Sequence, residues 1–139
     1  MLSEPRVLVV DDSIVVRHVL KLTLRQIPEF LDAVIDEAGN GAVALHKLAA
    51  SHYDLVLSDI RMPYVDGLEM VRRIRGEMND HETPILLIST LGTAEDVRRG
   101  LEAGADAYLL KPLSPHHIIA ALRQFLDLKS RAGGQALAR

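Results

Sequence analysis

Side chains that could do chemistry follow four short apolar segments of this chain. They are three carboxylates, two hydroxyls and one amine, in the order Asp11, Asp12, Asp59, Ser89, Thr90 and Lys111. If the segments are parallel strands, their carboxyl ends meet at one edge of a sheet, where these side chains would converge. Taken singly, each carboxylate could instead cap a neighbouring helix, as Asp12 or Ser13 could for the first helix. Taken together, they indicate a site.

The charge of such a cluster predicts a metal ion. Anions gathered within a few ångströms repel by roughly 4 kcal/mol per close pair at an effective dielectric near 20. A fold therefore needs a cation or a raised pKa to keep them together. The chain has no cysteine, and the carboxylates have no histidine near them in the sequence. Because these ligands would all be oxygen atoms, we expect Mg²⁺ rather than zinc.

This arrangement suits phosphoryl transfer. An aspartate carboxylate is ionised near neutral pH and can attack phosphorus without a general base, forming an acyl phosphate. Mg²⁺ on one side and the Lys111 ammonium on the other would offset the repulsion between the phosphoryl group and the acidic pocket. Ser89 could donate a hydrogen bond to a phosphoryl oxygen.

Five apolar segments predict the strands that position these groups. They are residues 7–10, 33–35, 55–57, 85–88 and 107–110. Their almost continuous apolar character favours a parallel sheet that is covered on both faces. Helical spacing separates them and predicts an α/β, (βα)5 doubly wound sheet, whose ligand site lies beyond the carboxyl ends of the strands.

The helices are indicated by apolar spacing and by residues that favour helix ends. Spacing predicts a first helix with an apolar face of Val16, Val19 or Leu20, Leu24 and Ile27. The residues that favour ends are Asn40, Asp66, Thr93, Gly104 and Ser114. We expect the last helix to end near Leu128. The predicted domain is residues 1–128, followed by a flexible tail or linker at 129–139 that contains Gly133 and Gly134.

Composition limits the classes of function. The chain has 139 residues, 48% of them hydrophobic and 25% charged, which is enough for one domain with its own core. No apolar run approaches the length of a membrane span, and residues 1–6 do not resemble a signal peptide. A formal net charge of −3 gives no general attraction to nucleic acid. We expect a cytoplasmic protein that binds neither membranes nor nucleic acid directly.

Four segments of the sequence resemble the successive motifs of response-regulator receiver domains, the CheY-like family of two-component signalling. They are VLVVDDS at 7–13, LVLSDIRMPYVDG at 55–67, ILLIST at 85–90 and GADAYLLKP at 104–112. The resemblance implies a flavodoxin-like fold in which Asp59 accepts the phosphoryl group. It also implies that Asp12 and Asp59 bind Mg²⁺, that Asp11 assists through water, and that the Arg61 carbonyl completes the protein ligands.

The resemblance assigns the remaining site residues as well. It implies that Ser89 and Lys111 bind the phosphoryl group, that Ser89, Thr90 and Tyr108 form the switch, and that the Lys111–Pro112 bond is cis. The implied partners are a sensor histidine kinase as phosphodonor and an output protein or second copy of the chain. The output protein or second copy would bind a face formed by the fourth helix, fifth strand and fifth helix, roughly residues 94–103, Tyr108 and 115–125.

Other functions fit the sequence less well. A haloacid-dehalogenase-type phosphatase also has an aspartate nucleophile, but that class expects a second aspartate two residues later, where this chain has Arg61. A nucleotide-binding module would need a glycine-rich phosphate loop, whereas the first strand leads into Asp11, Asp12 and Ser13. Within the receiver interpretation, the chain could be a free-standing regulator or a receiver cut from a longer protein.

Overall fold

A parallel sheet with helices on both faces forms the fold. The computed structural model describes residues 4–111 and 114–133. The strands are β1 (Arg6–Val10), β2 (Val34–Ala38), β3 (Leu55–Ser58), β4 (Ile85–Ser89) and β5 (Ala107–Leu110). The helices are α1 (Ile14–Leu24), α2 (Gly41–Ala50), α3 (Gly67–Arg75), α4 (Ala94–Ala103) and α5 (Pro115–Gly133), with a short 3₁₀ turn at Pro28–Phe30.

The strand order β2-β1-β3-β4-β5 is the doubly wound arrangement that the sequence predicts, and every pairing is parallel. Alternate residues of each central strand pack into two hydrophobic cores, one on each face of the sheet, as β1 illustrates. Val7 and Val9 pack with α1 and α5, whereas Leu8 and Val10 pack on the other face with residues of α2 and α3. Because both faces are covered, the central strands are apolar at successive positions.

The strand at the sheet edge differs from its prediction. Segment 33–35 predicts a short apolar strand, but β2 runs from Val34 to Ala38 and includes Asp36 and Glu37. An edge strand has one unpaired side and several partly exposed positions, so polar side chains are tolerated there. The apolar run alone therefore predicts a strand that begins one residue before β2 and ends three residues short of its end.

The first helix is also shorter than its apolar spacing predicts. Ile27 is buried, but it lies beyond α1 in an extended conformation, with φ −96° and ψ 120°. The next residue is Pro28, whose ring disfavours helical geometry at the residue before it. Val19 is 41% exposed, so the buried face of α1 centres on Leu20 and Leu24.

Helix starts agree with the sequence, whereas the last helix end does not. The side chains of Asn40, Asp66 and Thr93 accept hydrogen bonds from backbone amides in the first turns of α2, α3 and α4. Ser114 accepts from the His117 amide in the same way. The last helix continues to Gly133 instead of ending near Leu128, because residues 129–132 contain Lys, Arg and Ala, which favour helix, and no breaker. Residues 134–139 of the predicted tail lie outside the described part of the chain.

Across the described residues, no helix combines the length and the apolar character that a membrane crossing would require.

Candidate phosphoryl-transfer site

The carboxyl ends of four strands bring the predicted residues to one edge of the sheet. The Asp59 amide donates to the Val10 carbonyl at 2.9 Å, which fixes the end of β3 beside the end of β1. The Lys111 amide donates to the Ser89 carbonyl at 2.7 Å and fixes the end of β5 beside β4. Residues 100 positions apart in the chain therefore meet, and the Lys111 ammonium lies 3.2 Å from Asp11 Oδ2.

Three carboxylates converge at this edge, as the sequence predicts. Asp11, Asp12 and Asp59 each offer an oxygen within 4.8 Å of the others. Asp11 is buried, Asp59 is partly buried, and Asp12 is exposed. The donor set consists of carboxylate oxygens, one of them on an exposed side chain, which fits a hard divalent cation such as Mg²⁺ that retains water ligands.

The two neighbouring carboxylates differ in how many partners they have. Asp11 Oδ1 accepts from the Ser13 amide at 2.9 Å, and Asp11 Oδ2 accepts from Lys111. The Asp12 carboxylate makes no hydrogen bond or ion pair within residues 4–111 and 114–133. Asp12 is therefore the carboxylate with free oxygens for a direct ligand bond, whereas both oxygens of Asp11 already have a donor.

The Asp59 carboxylate is partly buried and lies near both a positive charge and a negative charge. Its Oδ1 accepts from the Ile60 amide at 2.8 Å, and its Oδ2 lies 3.5 Å from the Lys111 ammonium. Burial raises the pKa of the Asp59 carboxyl above its ordinary value; the Lys111 charge and the Ile60 amide lower it, and the Asp11 charge raises it. Burial has the largest effect, so the ionised carboxylate is less stable here than in water.

Without a metal ion, we expect Asp59→Asn to increase the free energy of unfolding at neutral pH. The folded-state pKa of Asp59 is above its unfolded value, so the stability from the protonated carboxyl is fully present below the unfolded pKa. That stability is lost as the pH rises through the folded pKa. The difference in free energy of unfolding between Asp59→Asn and the wild type should therefore grow as the pH rises through the folded pKa. Thermal unfolding of both proteins in a chelator, at a series of pH values, checks this; a difference independent of pH would contradict it.

The predicted switch residues are connected through the loop between β4 and α4. Ser89 is buried, and its Oγ accepts from the Leu91 amide at 3.1 Å. The Tyr108 hydroxyl donates to the Leu91 carbonyl at 2.7 Å, and burial raises the pKa of this hydroxyl. Thr90, which lies between Ser89 and Leu91, is exposed. Of the three predicted switch residues, Ser89 and Tyr108 thus both bond through their side chains to Leu91.

The remaining predicted site residues are only partly described. Arg61 lies exposed in the loop after β3, two residues beyond Asp59. Pro112 lies outside the described residues, and so does the predicted cis bond between Lys111 and Pro112.

Two contacts near the site escaped prediction from the sequence. Gly67 begins α3 directly against the end of β3, and its amide donates to the Ile60 carbonyl at 2.8 Å. Arg17 contacts the backbone of Asp11 and the carboxylate of Glu37. The glycine at the end of the 55–67 motif was a signal for the first contact; Arg17 and Glu37 are 20 positions apart, and nothing in their local patterns pairs them.

An apolar cleft opens beside the carboxylates. It has a volume of about 380 Å³, and Asp11, Asp59 and Lys111 form part of its wall. The rest is largely apolar, contributed by α1, α5 and β4. Val15, on the exposed side of α1, is 71% exposed. An apolar surface thus adjoins the site.

Comparison with known proteins agrees with the fold and with the family that the sequence resembles. The family model of the response regulator receiver domain matches residues 7–123. The transcriptional regulatory protein ResD of Bacillus subtilis is 37% identical over 129 residues, covering 93% of this chain and 51% of that protein. The two-component response regulator ORR41 of Oryza sativa is 42% identical over 122 residues, covering 86% of this chain and 93% of that protein.

Solved structures show the same fold. Chemotaxis protein CheY4 of Vibrio cholerae has a TM-score of 0.78 at 31% identity, covering 88% of this chain and 99% of that one. A beryllofluoride-activated DrrB receiver domain has a TM-score of 0.76 at 27% identity, with 90% and 99% covered. Several relatives are longer, and the chain spans about half the length of ResD. On this evidence of sequence, fold and site, the chain belongs to the response-regulator receiver family of two-component signalling.

Proposed function

We propose that Asp59 accepts a phosphoryl group and that its phosphorylation switches the binding surface of this receiver. The observation that supports this most strongly is the geometry around Asp59. Its carboxylate lies beside two further carboxylates, and the Lys111 ammonium contacts both Asp59 and Asp11. This is the distribution of charge that a transferring phosphoryl group and a divalent cation would need together.

The residues that would hold Mg²⁺ are Asp12 and Asp59 directly, with Asp11 through water and the carbonyl of Arg61 as a further ligand. When bound, the ion would neutralise charge on the phosphoryl oxygens and on the carboxylates. The free oxygens of Asp12 and the engaged oxygens of Asp11 support this division of roles.

The chain's own residues supply the rest of the reaction. A carboxylate oxygen of Asp59 attacks phosphorus, the bond from phosphorus to the donor breaks, and the donor leaves with that electron pair. Asp59 needs no general base because its attacking form is the carboxylate. Lys111 is already 3.5 Å from Asp59 Oδ2, so its ammonium can follow the transferred negative charge. Water attack on the acyl phosphate would later restore Asp59.

The proposed phosphodonor is a sensor histidine kinase acting in the cytoplasm. A phosphohistidine must be brought to Asp59 by a protein surface that docks beside it. The apolar cleft along α1 adjoins Asp59 and is lined by Val15, Val16 and Ile118. Burial of such a surface against a partner is favourable, so this cleft supports a protein donor.

The proposed output surface is the face formed by α4, β5 and α5. The Ser89 hydroxyl can donate to a phosphoryl oxygen while its oxygen still accepts from the Leu91 amide, so a movement of Ser89 toward Asp59 would draw Leu91 with it. The Leu91 carbonyl is the acceptor for Tyr108. Phosphorylation would therefore reposition Tyr108 on this face and change its affinity for an output protein or a second copy of the chain.

The experiment that tests the phosphoacceptor treats the chain with acetyl phosphate and Mg²⁺ and measures its intact mass. We expect one phosphoryl group on the wild-type chain, none on Asp59→Asn, and none on the wild type when a chelator removes Mg²⁺. Asp54→Asn is a suitable control because Asp54 precedes β3, at the opposite end of that strand. Equal labelling of wild type and Asp59→Asn would overturn the proposal.

A further inference from the structure

Arg17 joins three segments of the chain next to the acidic cluster. From α1, its Nη1 donates to the backbone carbonyl of Asp11 at 2.5 Å, and its Nε donates to Glu37 Oε1 of β2 at 2.9 Å. The arginine side chain is only 14% exposed. Glu37 also accepts from Lys21, one helical turn further along α1, at 3.0 Å.

The carbonyl that Arg17 holds belongs to the peptide group joining Asp11 to Asp12. A peptide group is planar, so fixing its carbonyl also fixes the direction in which the chain enters Asp12. The other side of Asp11 is fixed too, because its amide donates to the Ala38 carbonyl at 3.1 Å. The Asp12 side chain, in contrast, has no partner of its own within the described ranges. Its placement toward Asp59 therefore depends on its backbone.

We propose that Arg17, held by Glu37, is a positioning residue that fixes the Asp11–Asp12 peptide and so preorganises Asp12 to bind a divalent cation. The forked guanidinium group is suited to this role because its N–H donors lie in one rigid plane and can donate to a carbonyl and a carboxylate at the same time. Glu37 is held ionised by its two cationic neighbours, which lower its pKa. Its charge balances that of Arg17 near a site that must attract a cation. The inference rests on the Mg²⁺ site of the proposed function.

Charge alone and position alone predict opposite results for the loss of Arg17. A positive charge near the carboxylates repels Mg²⁺, so if Arg17 acted only through its charge, Arg17→Ala would tighten Mg²⁺ binding. If Arg17 holds the peptide in place, its loss weakens binding despite the more negative site. The sign of the change in affinity therefore separates the two effects.

The test measures the affinity of the full-length chain for Mg²⁺ alone, by calorimetry. We expect Arg17→Ala to weaken binding by about tenfold, as loss of residues that orient metal ligands commonly does. Lys21→Ala is the matched control: it removes one positive charge from the same Glu37 but touches neither Asp11 nor Asp12. It should change the affinity by less than about twofold, because the Lys21–Glu37 ion pair is partly exposed and has no contact with the carboxylate cluster.

Further variants keep the test decisive if Arg17→Ala folds poorly. Arg17→Lys keeps the charge but loses the fork, and Glu37→Gln loosens the hold on Arg17; each should weaken Mg²⁺ binding. In the metal-free protein, the same variants should speed hydrogen exchange of the Ser13 amide, which donates to Asp11 Oδ1. Wild type that does not bind Mg²⁺ would overturn the proposed metal site. Wild type that binds, with Arg17→Lys and Glu37→Gln unchanged or tighter, would overturn the role of Arg17 alone.

Discussion

Asp12→Ala is expected to weaken Mg²⁺ binding by at least about tenfold, because it removes a carboxylate proposed as a direct ligand from a site with few of them. Asp11→Ala should weaken binding less. The two oxygens of Asp11 already accept from the Ser13 amide and the Lys111 ammonium, which supports the proposed role of this residue through water. Amide chemical shifts followed through a Mg²⁺ titration give the dissociation constants.

The control for the loss of one negative charge is Asp32→Ala. Asp32 is exposed and lies before the amino end of β2, whereas the carboxylate cluster lies at the carboxyl ends of the strands. Its replacement should leave the Mg²⁺ titration nearly unchanged. An Asp12→Ala titration that matches the wild type would place the ion elsewhere and contradict the assigned ligands.

Gly67→Ala is expected to destabilise the protein by at least about 2 kcal/mol, toward the upper range for overpacking. A Cβ at this position would lie 2.3 Å from the Asp59 carbonyl oxygen and 2.8 Å from Ile60 Cα. Both are backbone atoms, so α3 and the end of β3 that carries Asp59, the proposed phosphoacceptor, would have to move apart. Chemical denaturation followed by circular dichroism measures the loss.

Gly39→Ala is the matched control for this steric argument. A Cβ there would meet only the end of the Arg17 side chain, at 3.7 Å, which is an ordinary van der Waals distance. Its effect on stability should be within about 1 kcal/mol, the usual range for a glycine replaced without strain. Equal free energies of unfolding for Gly67→Ala and Gly39→Ala would show that the close approach at Gly67 does not constrain the fold.

The sheet and its acidic edge were predictable because they follow from local patterns. Four of the five apolar runs match strands within one residue at each end. In β1, β3 and β4 burial leaves no polar position inside the run. The edge strand β5 is partly exposed, but none of its four residues is charged. Parallel strands align their carboxyl ends, which predicts that Asp11 and Lys111 meet although they are far apart in sequence.

The features that were missed depend on contacts between elements. The second strand extends through Asp36 and Glu37 because it lies at the sheet edge, a position that no local pattern indicates. Glu37 then becomes the partner of Arg17, a long-range pair that follows from the packing of α1 on the sheet. The exposure of Val19 likewise depends on which face of α1 meets α5, and this decides where the apolar cleft opens.

A phosphoryl group on Asp59 is proposed to change the face formed by α4, β5 and α5. The most direct measurement adds beryllofluoride and Mg²⁺ to the full chain and maps amide chemical shifts. We expect changes at Asp59, Ser89 and Leu91 that continue to Tyr108 and into α4 and α5. They should be absent in Asp59→Asn and should shrink on that face in Tyr108→Ala. Changes confined to the carboxylate cluster, with α4 and α5 unaffected, would contradict the account.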